Sequence, residues 1–520
     1  MQTFLQRFGA FVLGVLCGFD RLRFRGSKRQ LCHPEGIMSY LRHRSILLKD
    51  FTTFAKDSTA TLCQALEKPA EEAGIYLFLN NSKDSKEKEA LKMAVKHGRR
   101  EGLVAVIGCV EPCRTAKVHA NHKTKKLEIR VEPSKCKHYY HYYLDPRFGL
   151  RYSRLQSWFP YTCHLGLNGR DWLAQQMTQA GIGFEKKDNC FSWVENFEAA
   201  QQLLDAQLRT EWAPLLDSWV LQSNPLAATS TLLKTPVPYY WSVETAEYAT
   251  DVAFRSAADL ASVYPLFVQH SYATLQSTDL LRFMSYHVRK DGKPRLDLAG
   301  EVVTKIEELD EGTRVKFGVL TNLLKIYDKF GVVLRLENLL NDVRHFKVLR
   351  RREGDSEGPM EYLRMRKGVA DLHGRAEVGA RINERLAASL ATVADKTSLA
   401  ELTKDMGERQ QWKGRSVRAL NPLAAADVAL LEAVSRGEFH MGGFRNQDVR
   451  AHLFGEVQDA AERKRQSGKV TRMFRLLRGH GLIQKVPNTH RYKLTEKGQS
   501  SLSALLAARN ANTKQLLQAA

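Results

Sequence analysis

The sequence lacks the short motifs that mark several common enzyme classes. It contains no phosphate-binding loop of the form GxxxxGK[ST], no GxGxxG after a strand, no GxSxG and no HExxH. These motifs place glycine, serine or histidine where nucleotide hydrolysis, dinucleotide redox chemistry, serine esterases and zinc proteases need them. Their absence argues against those four activities.

Proline is scarce, with 15 residues in 520, whereas 43% of the chain is hydrophobic. A chain of this composition has enough apolar side chains to build cores, which excludes a disordered polyelectrolyte. At about 100–200 residues per domain, the length predicts three or four folded units.

Cysteine does not occur after position 190. A secreted disulfide framework is smaller and denser in cysteine than this chain. The distribution therefore predicts a reducing, cytoplasmic location. The eight cysteines are Cys17, Cys32, Cys63, Cys109, Cys113, Cys136, Cys163 and Cys190.

Hydrophobic runs of membrane-spanning length are missing as well. The run Phe8–Phe19 has 12 residues and continues directly into the charged segment Asp20–Arg25. Twelve residues are too few to span a bilayer, and no small-residue cleavage site follows them. The run therefore predicts a buried helix or strand, and no membrane partner is expected.

Positive charge, in contrast, is abundant and concentrated. The chain has 79 Lys and Arg against 57 Asp and Glu, a net charge of +22. Half of that surplus lies between Ala460 and Ala520, where 13 basic residues accompany two acids. A concentrated basic segment is typical of proteins that bind nucleic acid.

Turn signals and apolar periods predict an α+β multidomain protein with a mixed or antiparallel sheet body. Strands are predicted at Gly102–Gly108, on both sides of the turn Asp145–Gly149 and in the hairpin Leu324–Glu337, and a helix at Glu244–Ala261. No internal repeat is visible. The predicted divisions are an N-terminal α+β domain at 1–210, an α+β domain ending in a β-hairpin at 211–350, a helical or linker region at 351–423 and a nucleic-acid-binding domain at 424–520.

The last of these domains carries the clearest pattern. Between Lys469 and His480, apolar residues recur at i, i+3, i+4 and i+7, which predicts one buried helical face. That face consists of Val470, Met473, Phe474 and Leu477, and the basic face opposite consists of Lys469, Arg472, Arg475 and Arg478. Two short strands follow and predict a β-wing that carries Arg491 and Lys493.

The order helix, helix, basic helix, wing, helix resembles that of MarR-like winged helices over residues 424–510. The resemblance implies that the third helix enters the major groove of duplex DNA and that the wing meets the DNA backbone. A solvated basic face, or a wing that contacts protein, is the alternative.

A second nucleic-acid-binding segment is predicted at Lys135–Trp158, where tyrosines and a tryptophan alternate with arginines. Sheets that bind single strands or RNA use this mixture to stack bases and to hold phosphates. On a strand, half of these side chains must face a core. The predicted contacts are Tyr140, Tyr142, Arg151 and Arg154.

Several short segments are spread over nearly the whole chain. They include Gly18-Phe19-Asp20-Arg21, Val110-Glu111-Pro112-Cys113, Leu155-Gln156-Ser157-Trp158-Phe159-Pro160 and Glu247-Tyr248-Ala249-Thr250-Asp251. Together they resemble a widespread family of bacterial proteins, and that resemblance implies no particular activity. The hairpin Lys325–Glu337 also resembles a segment of plasmid and phage replication initiators, which nick DNA.

Strand cleavage needs either carboxylates that converge on Mg²⁺ or a tyrosine nucleophile beside a metal or a base. Asp20 and Glu337 are the leading metal ligands, because an acid after a long apolar run or inside an alternating strand is costly to bury. Asp145 and Asp251 are further candidates, and Tyr327 is the candidate nucleophile.

Each of these residues also has an ordinary structural explanation. Asp20 can pair with a neighbouring arginine, Asp145 can simply form a turn, Asp251 can cap or decorate a helix, and Arg335 can form an ion pair with Glu337.

The cysteines and histidines between Cys109 and His138 are residue types that bind zinc, but they lack the C-x₂-C spacing of a zinc knuckle. His138 and His141 lie three residues apart, so a strand would place them on opposite faces. A structural zinc site is therefore not predicted.

The sequence thus predicts a nucleic-acid-binding protein of the mobile-element type. It is expected to bind DNA through its C-terminal domain and to cleave or rejoin strands with a Mg²⁺-dependent carboxylate site. The alternative is a non-catalytic DNA- or RNA-binding factor, either a regulator or a ribonucleoprotein component. Duplex DNA is the expected partner, and RNA and a homodimer are left open.

Overall fold

The computed structural model describes residues 1–80, 85–224, 226, 237–286, 302–352, 354–355, 357–394, 399–436, 439, 443–487 and 489–511. The strands within these ranges are β1 (Val12–Ser27), β2 (Tyr76–Leu79), β3 (Gly102–Asn121), β4 (Lys126–Asp145), β5 (Gly149–Gln156), β6 (Cys163–Asn168), β7 (Phe184–Lys187), β8 (Cys190–Val194), β9 (Tyr240–Phe254), β10 (Val302–Leu309), β11 (Gly312–Val319), β12 (Asn322–Lys329), β13 (Val333–Leu339), β14 (Lys347–Arg350), β15 (Glu361–Arg364), β16 (Gln410–Trp412), β17 (Arg415–Val417), β18 (Ile483–Lys485) and β19 (Tyr492–Leu494).

Helices surround these strands. Within the same described ranges they are α1 (Gln2–Phe8), α2 (Pro34–His43), α3 (Phe51–Glu72), α4 (Lys86–Lys96), α5 (Gly169–Gln179), α6 (Phe197–Gln207), α7 (Trp212–Ser223), α8 (Ala257–Ala273), α9 (Ser277–Phe283), α10 (Leu372–Ala391), α11 (Leu399–Thr403), α12 (Ala425–Val434), α13 (Asn446–Phe454), α14 (Ala460–Gly479) and α15 (Glu496–Asn510).

Eleven strands form one mixed sheet in the order β10-β11-β12-β13-β9-β1-β6-β5-β4-β3-β2. Only the β2–β3 pair is parallel among these neighbours. The predicted α+β class is therefore confirmed. The sheet takes strands from both of the first two predicted divisions, because β1 lies between β6 and β9.

The strand order is symmetrical about the central β1–β9 pair. β1 is followed by the meander β3–β6, whose last strand returns to pair with β1. β9 is followed by the meander β10–β13, whose last strand returns to pair with β9. The same connection pattern thus occurs twice, although no repeat is visible in the sequence.

The predicted helix Glu244–Ala261 is wrong over its first part. Residues up to Phe254 belong to β9, and helix α8 begins only at Ala257, where the Ser256 hydroxyl accepts from the Asp259 backbone N–H. β9 runs between β1 and β13 in the interior of the sheet, with most of its side chains buried. Burial and pairing on both edges override the helix propensity of its Glu and Ala residues.

The local strand predictions are confirmed. Gly102–Gly108 lies in β3, the aromatic segment forms the β4–β5 hairpin, and Leu324–Glu337 forms the β12–β13 hairpin. The predicted helical or linker region at 351–423 contains the β16–β17 hairpin, and its residues Met406 and Leu420 are buried with the C-terminal helices. That segment is therefore part of a folded unit.

Helix α10 lies against one face of the central strands. Its residue Asn383 is fully buried, and the amide donates to the Leu336 carbonyl oxygen at 2.9 Å and accepts from Asn338 at 2.9 Å. The opposite face of β1 is packed by α6, since a Cβ at Gly18 would lie 3.0 Å from the Leu204 side chain. In the described parts of the chain, none of the helices combines the length and the apolar character needed to traverse a bilayer.

Candidate functional site

A cluster of buried charges lies at the centre of the sheet, on β1, β9, β12 and β13. Asp20 is the extra residue of a β-bulge, since Phe19 pairs with Tyr248 and Arg21 already pairs with Glu247. A bulge re-aims a side chain that would otherwise follow the alternation of the strand. The bulge therefore sets the direction of the Asp20 carboxylate, which is 1% exposed.

Three carboxylates from three strands meet in this cluster. One oxygen each of Asp20, Glu247 and Glu337 lies within 4.8 Å of the other two, a spacing at which the three could hold one metal ion. Carboxylate oxygens are the ligands that Mg²⁺ prefers. The fold thus brings together Asp20 and Glu337, the two predicted metal ligands, and adds Glu247.

Two cations share the cluster. The Arg335 guanidinium lies 3.1 Å from an Asp20 oxygen and 3.9 Å from a Glu337 oxygen. The Lys325 ammonium donates to Glu337 at 2.6 Å and lies 3.5 Å from Glu247. Burial raises the pKa of the Glu337 carboxyl, although Lys325 opposes that shift. The acids are thus largely balanced by cations of the chain itself.

One carboxylate oxygen of the cluster nevertheless lacks a hydrogen-bond partner among the described residues. Asp20 Oδ2 accepts from Asn189 at 2.7 Å and from Arg335, whereas Asp20 Oδ1 is buried and has no hydrogen-bond partner among the described residues. A buried carboxylate oxygen without a partner is costly. A divalent cation between Asp20, Glu247 and Glu337 would satisfy it.

Asp251 lies beside this triad and is held by two buried arginines. Arg335 donates to it at 2.6 Å and 2.9 Å, and Arg170 donates at 3.0 Å. Burial disfavours the charged carboxylate, but the two guanidiniums overcome this and lower the pKa of Asp251. Asp251 is therefore an ion-pair anchor with its oxygens already engaged.

The position of Arg170 follows from the start of α5. Asn168 caps the helix by accepting from the backbone of Arg170. Gly169 lies against β1 so closely that a Cβ there would be 1.9 Å from the Phe19 carbonyl oxygen. Only glycine permits this close approach. It places the start of α5 against β1, so that the Arg170 side chain reaches Asp251.

The other two predicted catalytic residues have different surroundings. Asp145 lies on β4, three strands from β1, where it accepts from the backbone of Phe148 at 3.1 Å and from Arg151 at 2.8 Å. Tyr327 lies 3.5 Å from Glu337, and burial together with that acid raises the pKa of its phenol. A less acidic phenol is a poorer nucleophile.

Basic side chains continue from the cluster along β1. Arg21, Arg23 and Arg25 are exposed, while Leu22 and Phe24 between them are buried. Residues two apart on a strand are spaced by about 6.6 Å on one face. The central strand of the sheet thus presents an open row of three guanidiniums, which we call the arginine row.

The aromatic hairpin divides between the two faces of the sheet. Cross-strand pairing places Tyr140 with Arg154 and Tyr142 with Tyr152 on the face of the arginine row. Arg23 donates to the Tyr152 hydroxyl at 2.8 Å. Arg151 is on the opposite face, buried between Tyr143 and Trp219, so its guanidinium is not available at the surface.

The predicted basic helix is the C-terminal half of α14. Val470, Phe474 and Leu477 are buried and Met473 is half-buried. Arg472 is exposed, whereas Lys469, Arg475 and Arg478 are half-buried.

Contacts with the rest of the chain engage part of this basic surface. The Arg478 guanidinium lies 4.7 Å from the centre of the Trp412 ring, and Arg491 lies 5.2 Å from that of Tyr362 on β15. Burial, followed by the charge of Arg381 on α10, lowers the pKa of Lys493. The two predicted wing residues thus lie against the body of the protein.

Sequence reasoning missed Glu247, Lys325 and the arginine row. Glu247 and Asp251 lie in the segment for which the sequence predicts a helix. On strand β9 they are four residues apart and therefore lie on the same face of the sheet. A usable signal is the alternation of Arg21–Arg25, where charged and apolar residues follow each other with period two.

Comparison of the chain with protein-family models, curated proteins and solved structures found no match. The resemblances to MarR-like winged helices and to replication initiators stay predictions.

Proposed function

We propose that this protein binds nucleic acid and cleaves its phosphodiester backbone at a divalent metal held by Asp20, Glu247 and Glu337. The observation that carries the proposal is the juxtaposition of this triad with the arginine row. Arg21 lies opposite Glu247 in the β1–β9 strand pairing. A phosphate bound by Arg21 would therefore lie beside the triad.

The chemistry of the triad suits phosphoryl transfer. A Mg²⁺ or Mn²⁺ ion at the carboxylates would polarise the phosphate and lower the pKa of a bound water. The Lys325 ammonium, 2.6 Å from Glu337, lies where it can stabilise negative charge on the transferring phosphate.

The exposed arginine row on β1 fits one extended strand of nucleic acid. Arg21, Arg23 and Arg25 would contact successive phosphates, and the rings of Tyr140 and Tyr152 on the same face would stack bases. An exposed row of arginines with neighbouring tyrosines is the mixture that single-strand-binding sheets use.

The C-terminal unit would hold an adjoining duplex. Helices α12 to α14, the β18–β19 hairpin and α15 follow the element order of a winged helix-turn-helix, in which the third helix enters the major groove. Exposed basic residues extend along α14 beyond Arg472, at Arg463, Lys464 and Arg465. DNA is the partner proposed for this surface.

A second candidate is a non-catalytic nucleic-acid-binding factor. Its supporting observation is the charge balance of the cluster, since Lys325 and Arg335 already neutralise Glu337 and Asp20 without a metal. In that case the cluster only stabilises the sheet, and the arginine row and α14 bind the nucleic acid.

Cleavage of labelled single-stranded and partly duplex oligonucleotides with Mg²⁺ or Mn²⁺ separates the two candidates. We expect Asp20→Asn and Glu337→Gln to lower the cleavage rate by more than about 100-fold, because each removes a metal-ligand charge. Glu128→Gln, the same chemical change on an exposed part of β4, should leave the rate unchanged. Absence of cleavage by the wild type would favour the second candidate, whereas full activity of Asp20→Asn would show that any cleavage does not use the triad.

The salt dependence of DNA binding tests the role of α14. We expect Arg472→Ala to weaken duplex binding and to reduce the slope of log K against log salt by about 0.9, the value for one lost phosphate contact. Arg344→Ala removes another exposed guanidinium, which lies outside the C-terminal helices, and serves as the control. Identical slopes for Arg472→Ala and wild type would remove α14 from the interface.

A further inference from the structure

The β3–β4 hairpin brings together residues that are far apart in the sequence. Its pairing places Cys109 opposite His138 and Glu111 opposite Cys136, with Cys113 one step further along the same face. The sulfur atoms of Cys113 and Cys136 are 3.3 Å apart. One donor atom each of Cys113, Cys136 and His138 lies within 4.8 Å of the other two.

Polar groups of the same hairpin and of the following segment lie next to these three side chains. His138 is 2% exposed, and its Nδ1 lies 3.1 Å from the Cys136 carbonyl oxygen. When Nδ1–H donates to that oxygen, the lone pair of Nε2 is left for a ligand. Hydrogen bonding to Cys113, together with burial, raises the pKa of the Cys136 thiol, whereas hydrogen bonds with the Trp158 backbone and the Ser157 side chain lower it to a smaller extent.

We propose that Cys113, Cys136 and His138 bind one thiophilic divalent cation of the Zn²⁺ type. Two thiolates and one imidazole are ligands that Zn²⁺ prefers, whereas Mg²⁺ prefers oxygen. Three protein ligands leave the fourth tetrahedral position to water or to another small ligand. The site is separate from the Asp20 triad and does not depend on the proposed function.

The spacing rules that argue against zinc in the sequence do not apply to this arrangement. Cys113 comes from one strand and the other two ligands from its partner strand, so no knuckle motif is needed. Cys136 and His138 are two residues apart on β4, which places both on one face.

In the test, bound metal is removed from the full-length protein with a chelator, the cysteines are kept reduced, and the protein is titrated with Co²⁺. We expect a thiolate-to-cobalt charge-transfer band that saturates at one ion per chain and disappears when Zn²⁺ is added. An oxygen-only site such as the Asp20 triad produces no such band, so the two sites are distinguished. Cys113→Ser and His138→Gln should weaken Co²⁺ binding by more than about 100-fold, since loss of even an outer partner costs about 10–100-fold.

Cys109→Ser is the matched control. Cys109 lies opposite His138 on the same face but outside the three ligands, so its variant should keep the band, which also shows that the hairpin tolerates a serine. Absence of the band in the reduced wild type would overturn the proposal, as would its retention in Cys136→Ser. A Cys113–Cys136 disulfide that persists after reduction, detected by thiol counting and mass, would overturn it as well.

Discussion

Replacement of Asp251 by alanine is expected to lower the free energy of unfolding by about 3–5 kcal/mol, the usual cost of breaking a buried ion pair. Arg170 and Arg335 are both fully buried, and both donate to this carboxylate. Without Asp251, Arg170 loses the carboxylate to which it donates, and Arg335 keeps Asp20 and Glu337 but loses its shortest ion pair, both in a low-dielectric environment. Asp251 connects β9 with β13 and α5, so its loss should destabilise the whole sheet and not only one strand.

Denaturant unfolding measures this effect. Asp310→Ala removes a carboxylate from the exposed β10–β11 turn and should change the unfolding free energy by less than about 0.5 kcal/mol. A loss of under 1 kcal/mol for Asp251→Ala would show that solvent reaches the arginines. The expected order of stability is wild type, then Asp251→Asn, then Asp251→Ala, because the amide keeps part of the hydrogen bonding.

The same carboxylate gives stability a dependence on pH. Its pKa in the folded protein is lowered, so the unfolded chain binds a proton at higher pH than the folded one. The stabilisation by Asp251 is complete above the unfolded value of about 3.9 and is lost as pH falls through the folded pKa. Asp251→Ala should therefore lose less stability in acid than the wild type does.

The sequence predicts those parts of the fold that local chemistry determines. The turn Asp145–Gly149 contains Asp before Pro and a closing Gly, whose φ is +68°, and this signal fixes the β4–β5 hairpin. The C-terminal half of helix α14, from Lys469 onward, follows from apolar periodicity alone. β9 is the failure, because its residues favour a helix in isolation and form a strand only between β1 and β13.

The candidate site is predictable only in part for the same reason. The cost of burying a charge identifies Asp20 and Glu337, which lie 317 positions apart, as residues that need a partner. Their partners Arg335, Glu247 and Lys325 depend on strand pairing between distant segments. The symmetrical strand order that places β1 beside β9 has no counterpart in the sequence pattern.

Arg335→Met addresses the central question of the site, namely whether its acids are ion-pair partners or metal ligands. Arg335 contacts Asp20, Asp251 and Glu337, so its removal leaves several buried carboxylates short of a cation. Without divalent metal we expect a loss of about 3–5 kcal/mol in the free energy of unfolding. The variant should keep its shape, since methionine fills much of the volume of the arginine stem.

Mn²⁺ is then expected to stabilise Arg335→Met more than the wild type. The guanidinium competes with a metal for Asp20 and Glu337, and its removal strengthens the negative potential at the triad. At a concentration 100 times the Kd, the ion would restore about 2.7 kcal/mol. Thermal unfolding with and without Mn²⁺ measures this, and the double variant Arg335→Met/Asp20→Asn, which lacks one ligand, should show little recovery. If Mn²⁺ shifts wild type, single and double variants equally, the ion binds elsewhere and the three carboxylates act only as partners of Arg335 and Lys325.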